Sequence, residues 1–305
     1  MTIKSQLHQL IFDIPYFGKR LKLLKDCGFE PGHYYSTIPD LEDIQKRRAS
    51  IFNKSEQSIK SINLNKQFQF ELLEEFKKYY KDIPYDFTEK SVSNTRYQVK
   101  DAWYRYSDAV MLFSMIRHFK PASIIEIGSG YSSAIMLDTN DLFFNSKINL
   151  TFIDPHTERL QSLLTASDKT NQQVIQKAVQ DVDLEKFTQL KANDILFVDS
   201  SHVSKIGSDL NHILFEILPM LNKGVLVHFH DVHFPFELPE HWVFRNKWFW
   251  NENYLMRAFL SGNSEYEIVN FNTYLHKLFP DWFAQNMPAC LIGVNDVGSI
   301  WIRKK

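Results

Sequence analysis

The chain has 305 residues, 44% of them apolar, and a formal net charge of −1 from 35 basic and 36 acidic side chains. This is enough for a full core in one large domain or a domain with an appendage, and there is no basic excess to attract nucleic-acid phosphates. No apolar run approaches the roughly 18 residues of a membrane span, Leu10-Ile11-Phe12 is too short for a signal-peptide core, and Cys27 and Cys290 fit no metal-binding spacing, so a cytoplasmic protein that engages neither membrane nor nucleic acid is expected.

Residues 1–100 read as a helical N-terminal extension. Ile11 to Leu24 has helical periodicity, and Pro31 to Pro39 is a tyrosine-rich extended loop bounded by prolines. Leu41 to Phe52 and Lys66 to Tyr80 are predicted helices, the second carrying Phe68, Phe70, Leu72, Leu73 and Phe76. A third helix is predicted from Ala102 to His118. Its Trp103, Tyr104 and Tyr106 serve either helix packing or, for Tyr104 or Tyr106, the lining of a pocket.

The stretch Ser123-Ile124-Ile125-Glu126-Ile127-Gly128-Ser129-Gly130-Tyr131 organises the rest of the chain. Its first five residues suit a short buried parallel strand. Gly128 and Gly130 then permit a tight turn that a ligand can approach closely, and Ala134, Ile135 and Leu137 begin a helix. Strand, glycine turn and helix N-terminus form the first unit of a nucleotide-binding α/β sheet. Ser133 stands where the dinucleotide fingerprint has its third glycine, which weighs against a nicotinamide cofactor.

Leu150 to Ile153 is a second strand, and Asp154 at its tip is placed for ribose hydroxyls. A helix near Glu158 to Ser167 leads to a third strand at Val174-Ile175. Asp194 to Asp199 is a fourth strand, Ser200-Ser201-His202 comes next, and a helix runs from Asp209 to Pro219. Val225 to Asp231 is the fifth strand, while Tyr266 to Phe271 and Ser299 to Arg303 supply the sixth and seventh. Ligands bind at the carboxyl ends of such strands, and Glu126, Asp154, Asp199, His202, His230 and Asp231 all fall there. Residues 232–262 hold a concentration of aromatics and are expected to cap the acceptor pocket.

Together these residues resemble the class I S-adenosylmethionine-dependent methyltransferases over roughly residues 100–305. The resemblance implies a Rossmann-like α/β sheet of seven strands with the last one antiparallel. The domains expected are thus an extension at 1–100 and a methyltransferase domain at 101–305. It also implies that S-adenosylmethionine is held by Glu126, Gly128, Ser129, Gly130, Tyr131, Ser132, Asp154, Asp199 and Ser200, with Gln180 or Asp181 near the adenine. Asp199, His202, Asp209, His230 and Asp231 are similar to a branch that methylates hydroxyls of small molecules, sugars or secondary metabolites.

Methyl transfer from a sulfonium requires positioning, and a hydroxyl nucleophile requires a base. Histidine titrates near neutrality, so His202 or His230 is the expected base, with Asp231 or Asp209 orienting the ring. His228 shares a strand face with His230 and is expected to be structural. Some relatives bind magnesium through acids after strands four and five. Magnesium prefers oxygen donors, and the histidines here argue against it, so no metal is expected. A nicotinamide-dependent oxidoreductase and a non-catalytic cofactor-binding scaffold are the rival readings. Self-association is left open.

Overall fold

A computed structural model describes residues 27–88, 90–294 and 296–305. The periodic stretch from Ile11 to Leu24 lies outside the described residues. The chain forms two compact units. The smaller comprises, among the described residues, those up to Asn53 together with Glu240–Phe249. The larger comprises Lys54–Pro239 and Trp250–Lys305.

In the smaller unit the helix expected over 41–52 is two helices, Leu41–Lys46 and Arg48–Phe52, which meet at Arg47. Asp40 caps the first by accepting from the Glu42 amide at 2.8 Å. In the larger unit, helix α1 (Lys66–Tyr80) buries Leu72, Leu73 and Phe76, the helical spacing that puts them on one face. By sequence α1 belongs to the expected N-terminal extension, but its apolar face is part of the larger unit's core. Buried Gln69 on α1 accepts from the Phe271 amide at 2.7 Å.

Seven strands form one sheet: β1 Ser123–Ile127, β2 Asn149–Ile153, β3 Gln173–Ile175, β4 Ile195–Val198, β5 Leu226–His230, β6 Tyr266–Phe271 and β7 Ser299–Lys304. Their order is β3-β2-β1-β4-β5-β7-β6. β1 to β5 are parallel, and β7 runs antiparallel to both β5 and β6. The central strands are near-continuous apolar runs because helices cover both faces of a parallel sheet. Helices α2 (Tyr106–Phe119) and α3 (Tyr131–Phe144) flank β1 in sequence and are mostly buried. α2 begins at Tyr106, four residues after the expected start, because Val99–Asp101 close a separate 3-10 turn. β6 and β7 are not a tight hairpin. The helices Asn272–Leu278 and Pro280–Asn286, which the sequence pattern does not announce, lie between them. Helix α4 (Glu252–Leu260) comes after the aromatic stretch. No described helix is long and apolar enough to cross a membrane.

Candidate active site

The turn after β1 is built around one close approach. Gly128 has φ 83°, and a Cβ there would lie 1.8 Å from the Asp199 carbonyl oxygen at the end of β4. Only glycine fits that conformation and that gap. The Gly130 amide donates to the Ser133 hydroxyl at 3.0 Å, and Ser132 and Ser133 in turn donate to Glu126. Burial pushes the Glu126 carboxyl up to about 8, with those two hydroxyl bonds partly opposing it. Ser133 therefore replaces the third glycine of a dinucleotide turn with a side-chain bond that ties the helix start to the strand. Asp154 accepts from the Ser129 amide at 2.8 Å and the His156 amide at 2.7 Å, which fixes its carboxylate at the end of β2.

A cavity of about 410 Å³ opens over the ends of β1, β2 and β4, within the size range of small-ligand sites. Six residues nominated from sequence, Gly128, Asp154, Gln180, Asp199, Ser200 and Asp209, line it. Glu126, Ser129, Gly130, Tyr131 and Ser132 belong to the strand, turn and helix start and are not lining residues. Asp181 is exposed on the 3-10 turn Val179–Asp181. Its neighbour Gln180 lines the cavity instead and donates to the Gly207 carbonyl at 2.9 Å. Among the described residues the hydroxyls of Ser129 and Ser200 are buried without a hydrogen-bond partner. Of the two only Ser200 lines the cavity, and a polar ligand there would relieve its cost, so the residues present fit a cofactor with hydroxyl and amino groups.

Asp199 also belongs to a second constellation. Its Oδ1 lies 3.4 Å from His202 Nε2 and 3.4 Å from His230 Nδ1. Asp231 Oδ2 lies 3.5 Å from the same two nitrogens. The outer nitrogen of each ring faces another carboxylate. His202 Nδ1 is 2.7 Å from Glu252 Oε2, and His230 Nε2 is 3.6 Å from Asp108 Oδ2. Asp108, buried on α2, accepts further bonds from Asn272 and Ser299 side chains, each at 2.8 Å.

Burial disfavours charge on both rings, but Glu252 beside His202, and Asp231 and Asp199 beside His230, outweigh it and raise both imidazoles well above their usual range. Burial also opposes ionisation of Asp199, yet the two rings hold it well below the ordinary carboxylate value. For Asp231 burial prevails and pushes the carboxyl up to about 6. Each ring thus keeps its protons through the carboxylates around it.

Three consecutive residues hold this geometry. Asn251 accepts from the Ser204 amide at 2.6 Å and donates to the Ser204 carbonyl at 3.1 Å. Asn253 donates to the Asp231 carbonyl at 3.0 Å and accepts from the His233 amide at 2.7 Å. Glu252 between them reaches His202. Both loops after β4 and β5 are thereby pinned to the start of α4. His202 (φ 60°) and Asp231 (φ 57°) sit in the left-handed region, a strained conformation that such clamps sustain.

Asp199, His202, His230 and Asp231 are candidates by sequence, whereas Asp108, Asn251, Glu252 and Asn253 emerge only from the structure. Asp209, one of the two candidate ring orienters, accepts from the Ser201 amide at 2.8 Å and hydroxyl at 2.5 Å and lines the cavity. Tyr104 packs against His230, tilted by 42° with centroids 4.9 Å apart, and Tyr106 lies against Gly293; neither lines the cavity. His228 is sandwiched between Phe197, 3.9 Å away, and Trp301, and burial keeps it neutral, down to about 3.

Of the aromatic stretch, Phe234 and Phe236 pack on Phe271, and Phe259 packs on Tyr266. Trp250 stands by the cluster, 4.5 Å from the His202 ring. Glu240–Phe249 belong to the other compact unit.

Residues 125–232 match a family profile described as a methyltransferase domain. That span includes the glycine turn, Asp154, Asp199, His202, His230 and Asp231. A protein of Archaeoglobus fulgidus, described only as uncharacterized, is 34% identical over 169 residues, covering 55% of this chain and 76% of that protein. Among solved structures, the O-methyltransferase TomG from Streptomyces achromogenes, in complex with SAM, is 14% identical with a TM-score of 0.41, over 64% of this chain and 78% of that one. The SAH-bound Podospora anserina methyltransferase PaMTH1 is 16% identical with a TM-score of 0.40, over 77% and 87%. At those TM-scores the likenesses decide nothing about substrate. The strand order, the glycine turn and the profile match over residues 125–232 identify a class I S-adenosylmethionine-dependent methyltransferase domain in this chain.

Proposed function

We propose that the protein moves the methyl group of S-adenosylmethionine to a hydroxyl of a small, saccharide-like molecule. The observation that carries this reading is the double position of Asp199. It lines the cofactor-sized cavity and is also a member of the imidazole–carboxylate cluster. A methyl donor in the cavity and a hydroxyl at the cluster would therefore meet at one residue, which is the positioning that in-line displacement needs.

In this reading Asp154 takes the ribose, Gln180 lies near the adenine, and Gly128 lets the cofactor approach the backbone. Ser200, which lines the cavity, supplies an unpaired hydroxyl. The new bond joins the methyl carbon to the acceptor oxygen, the sulfonium bond breaks with its electron pair on sulfur, and the acceptor proton passes into the cluster at the Asp231 carboxylate, because the raised imidazoles of His202 and His230, the bases expected from sequence, already hold their protons. Trp250 beside His202 gives the acceptor a flat apolar surface, the kind on which a sugar face or an aromatic ring rests.

A panel of hydroxyl-bearing acceptors, including glycosides and phenols, tests the reading. S-adenosylhomocysteine release with a product one methylene heavier is expected with at least one glycoside. Methylation of nitrogen or carbon acceptors alone would contradict it.

A further inference from the structure

We infer that Arg159 recognises the carboxylate of the cofactor's amino-acid part, in an anion subsite that it forms with the start of α3 and the Ser129 hydroxyl. Arg159 stands on the helix Glu158–Leu163, just past the tip of β2. Its side chain lies against the glycine turn, where a Cβ on Gly130 would be 3.5 Å from Arg159 Cδ and 3.6 Å from Nη1. The guanidinium carbon rests 5.4 Å from the centroid of the Tyr131 ring. Tyr131, a cofactor residue by sequence, is thus a shelf for Arg159 and not a wall of the cavity. Arg159 is exposed, and among the described residues its guanidinium has no ion pair and no hydrogen bond, so its donors are open to a ligand.

Three features favour an anion at this place. α3 begins at Gly130, which has no side chain to cap the helix, and no acid occupies its first turn. The amides of that turn therefore lack a side-chain acceptor, and the positive end of the helix dipole is unanswered. The Ser129 hydroxyl in the same turn is buried without a partner. Arginine adds a planar fork that meets a carboxylate with two parallel hydrogen bonds.

The order of the strands says which part of the cofactor comes here. Across the sheet β3, β2 and β1 are neighbours, so Gln180, Asp154 and the glycine turn follow one another over the strand ends. With the adenine near Gln180 and the ribose at Asp154, the amino-acid part is left for the turn. Lys205 also lines the cavity, but it lies two residues from Gly207, whose carbonyl accepts from Gln180, which puts it at the base end. The inference rests on S-adenosylmethionine as the cofactor and not on the acceptor or the transfer step, and its test needs no turnover.

The full chain is titrated by calorimetry with S-adenosylhomocysteine and with 5′-deoxy-5′-methylthioadenosine, which keeps the nucleoside and the thioether but has no amino-acid part. The wild type should bind both. Arg159→Ala should raise the Kd for S-adenosylhomocysteine about 10–100-fold, as the loss of hydrogen bonds to a charged group does, and leave that for methylthioadenosine nearly unchanged. Arg159→Lys, which keeps the charge and loses the fork, should fall between the two. Circular dichroism on the same samples shows that the variants are folded. Unchanged S-adenosylhomocysteine binding in Arg159→Ala, or an equal weakening of both ligands, would overturn the subsite and leave the cofactor assignment standing. A wild-type chain that binds neither ligand would refute the cofactor assignment itself, and the subsite with it.

Discussion

The two halves of the proposed site, cofactor and reactive, are built in different ways. The cofactor half is local: Glu126, Gly128, Ser129, Ser132 and Ser133 lie within eight consecutive positions and bond chiefly to one another, and Asp154 joins from the adjacent strand. The reactive half is assembled from afar, with Asp108 from α2, Asp199 and His202 after β4, His230 and Asp231 at β5, and Glu252 from α4. A local motif stands or falls with its backbone. A collected cluster depends on supporting side chains that can be removed without unmaking the fold. Substitutions on the two sides should therefore fail differently.

The largest effect is expected at Gly128. Gly128→Ala forces a Cβ onto the Asp199 carbonyl and a strained φ, and should cost roughly 3 kcal/mol or more. Thermal unfolding should show a drop of many degrees or no soluble protein. A wild-type Tm would mean that β1 and β4 do not approach as described.

Next comes Asp154→Ala, which removes a charged acceptor from two amides. Losing those bonds lowers stability, and losing the proposed charged bond to the ribose, about 1.5–3 kcal/mol, should lower cofactor affinity by about 10–100-fold in the protein that still folds. Calorimetry read beside circular dichroism checks both statements.

On the far side, Asp108→Asn keeps the shape and removes the charge behind His230. Turnover should fall by about 10-fold or more as the ring loses its orientation, with cofactor affinity nearly unchanged. An equal loss in both quantities would erase the distinction between the halves.

The smallest effect is one of pH. Burial pushes His276 down to about 4, against an ordinary 6.5. The unfolded chain therefore takes up a proton that the folded chain refuses between those values. Stability from this residue is complete above pH 6.5 and drains as pH falls toward 4, by up to about 3 kcal/mol. Denaturant titrations across that window should show the slope, and His276→Gln, which can still bond Ser107, should lose that part of it.

The same contrast explains what can be read from the chain. β1, the glycine turn, Asp154, and the Asp199–His202 and His230–Asp231 pairs are legible because each is a contiguous pattern tied to a strand end. Glu252 and Asp108 are not. A buried acid inside an apolar helix carries no local mark of its partner, and Asn251-Glu252-Asn253 reads as an ordinary polar helix start until folding brings it onto two loops. The helices between β6 and β7 escape the pattern, and 41–52 reads as one helix because Arg47 breaks no apolar period. The aromatic run resembles a lid, yet Phe234, Phe236 and Phe259 are packing residues, since ring count alone does not distinguish a cap from a core.

The central claim is that the cavity between Gly128 and Asp154 holds S-adenosylmethionine beside Asp199. Isothermal calorimetry of the wild-type chain with S-adenosylmethionine, S-adenosylhomocysteine and NAD tests it most directly. One molecule of either sulfur nucleotide should bind per chain, competing with the other and weakened in Asp154→Ala, with NAD silent. Tight binding of NAD with no response to the sulfur nucleotides would contradict it.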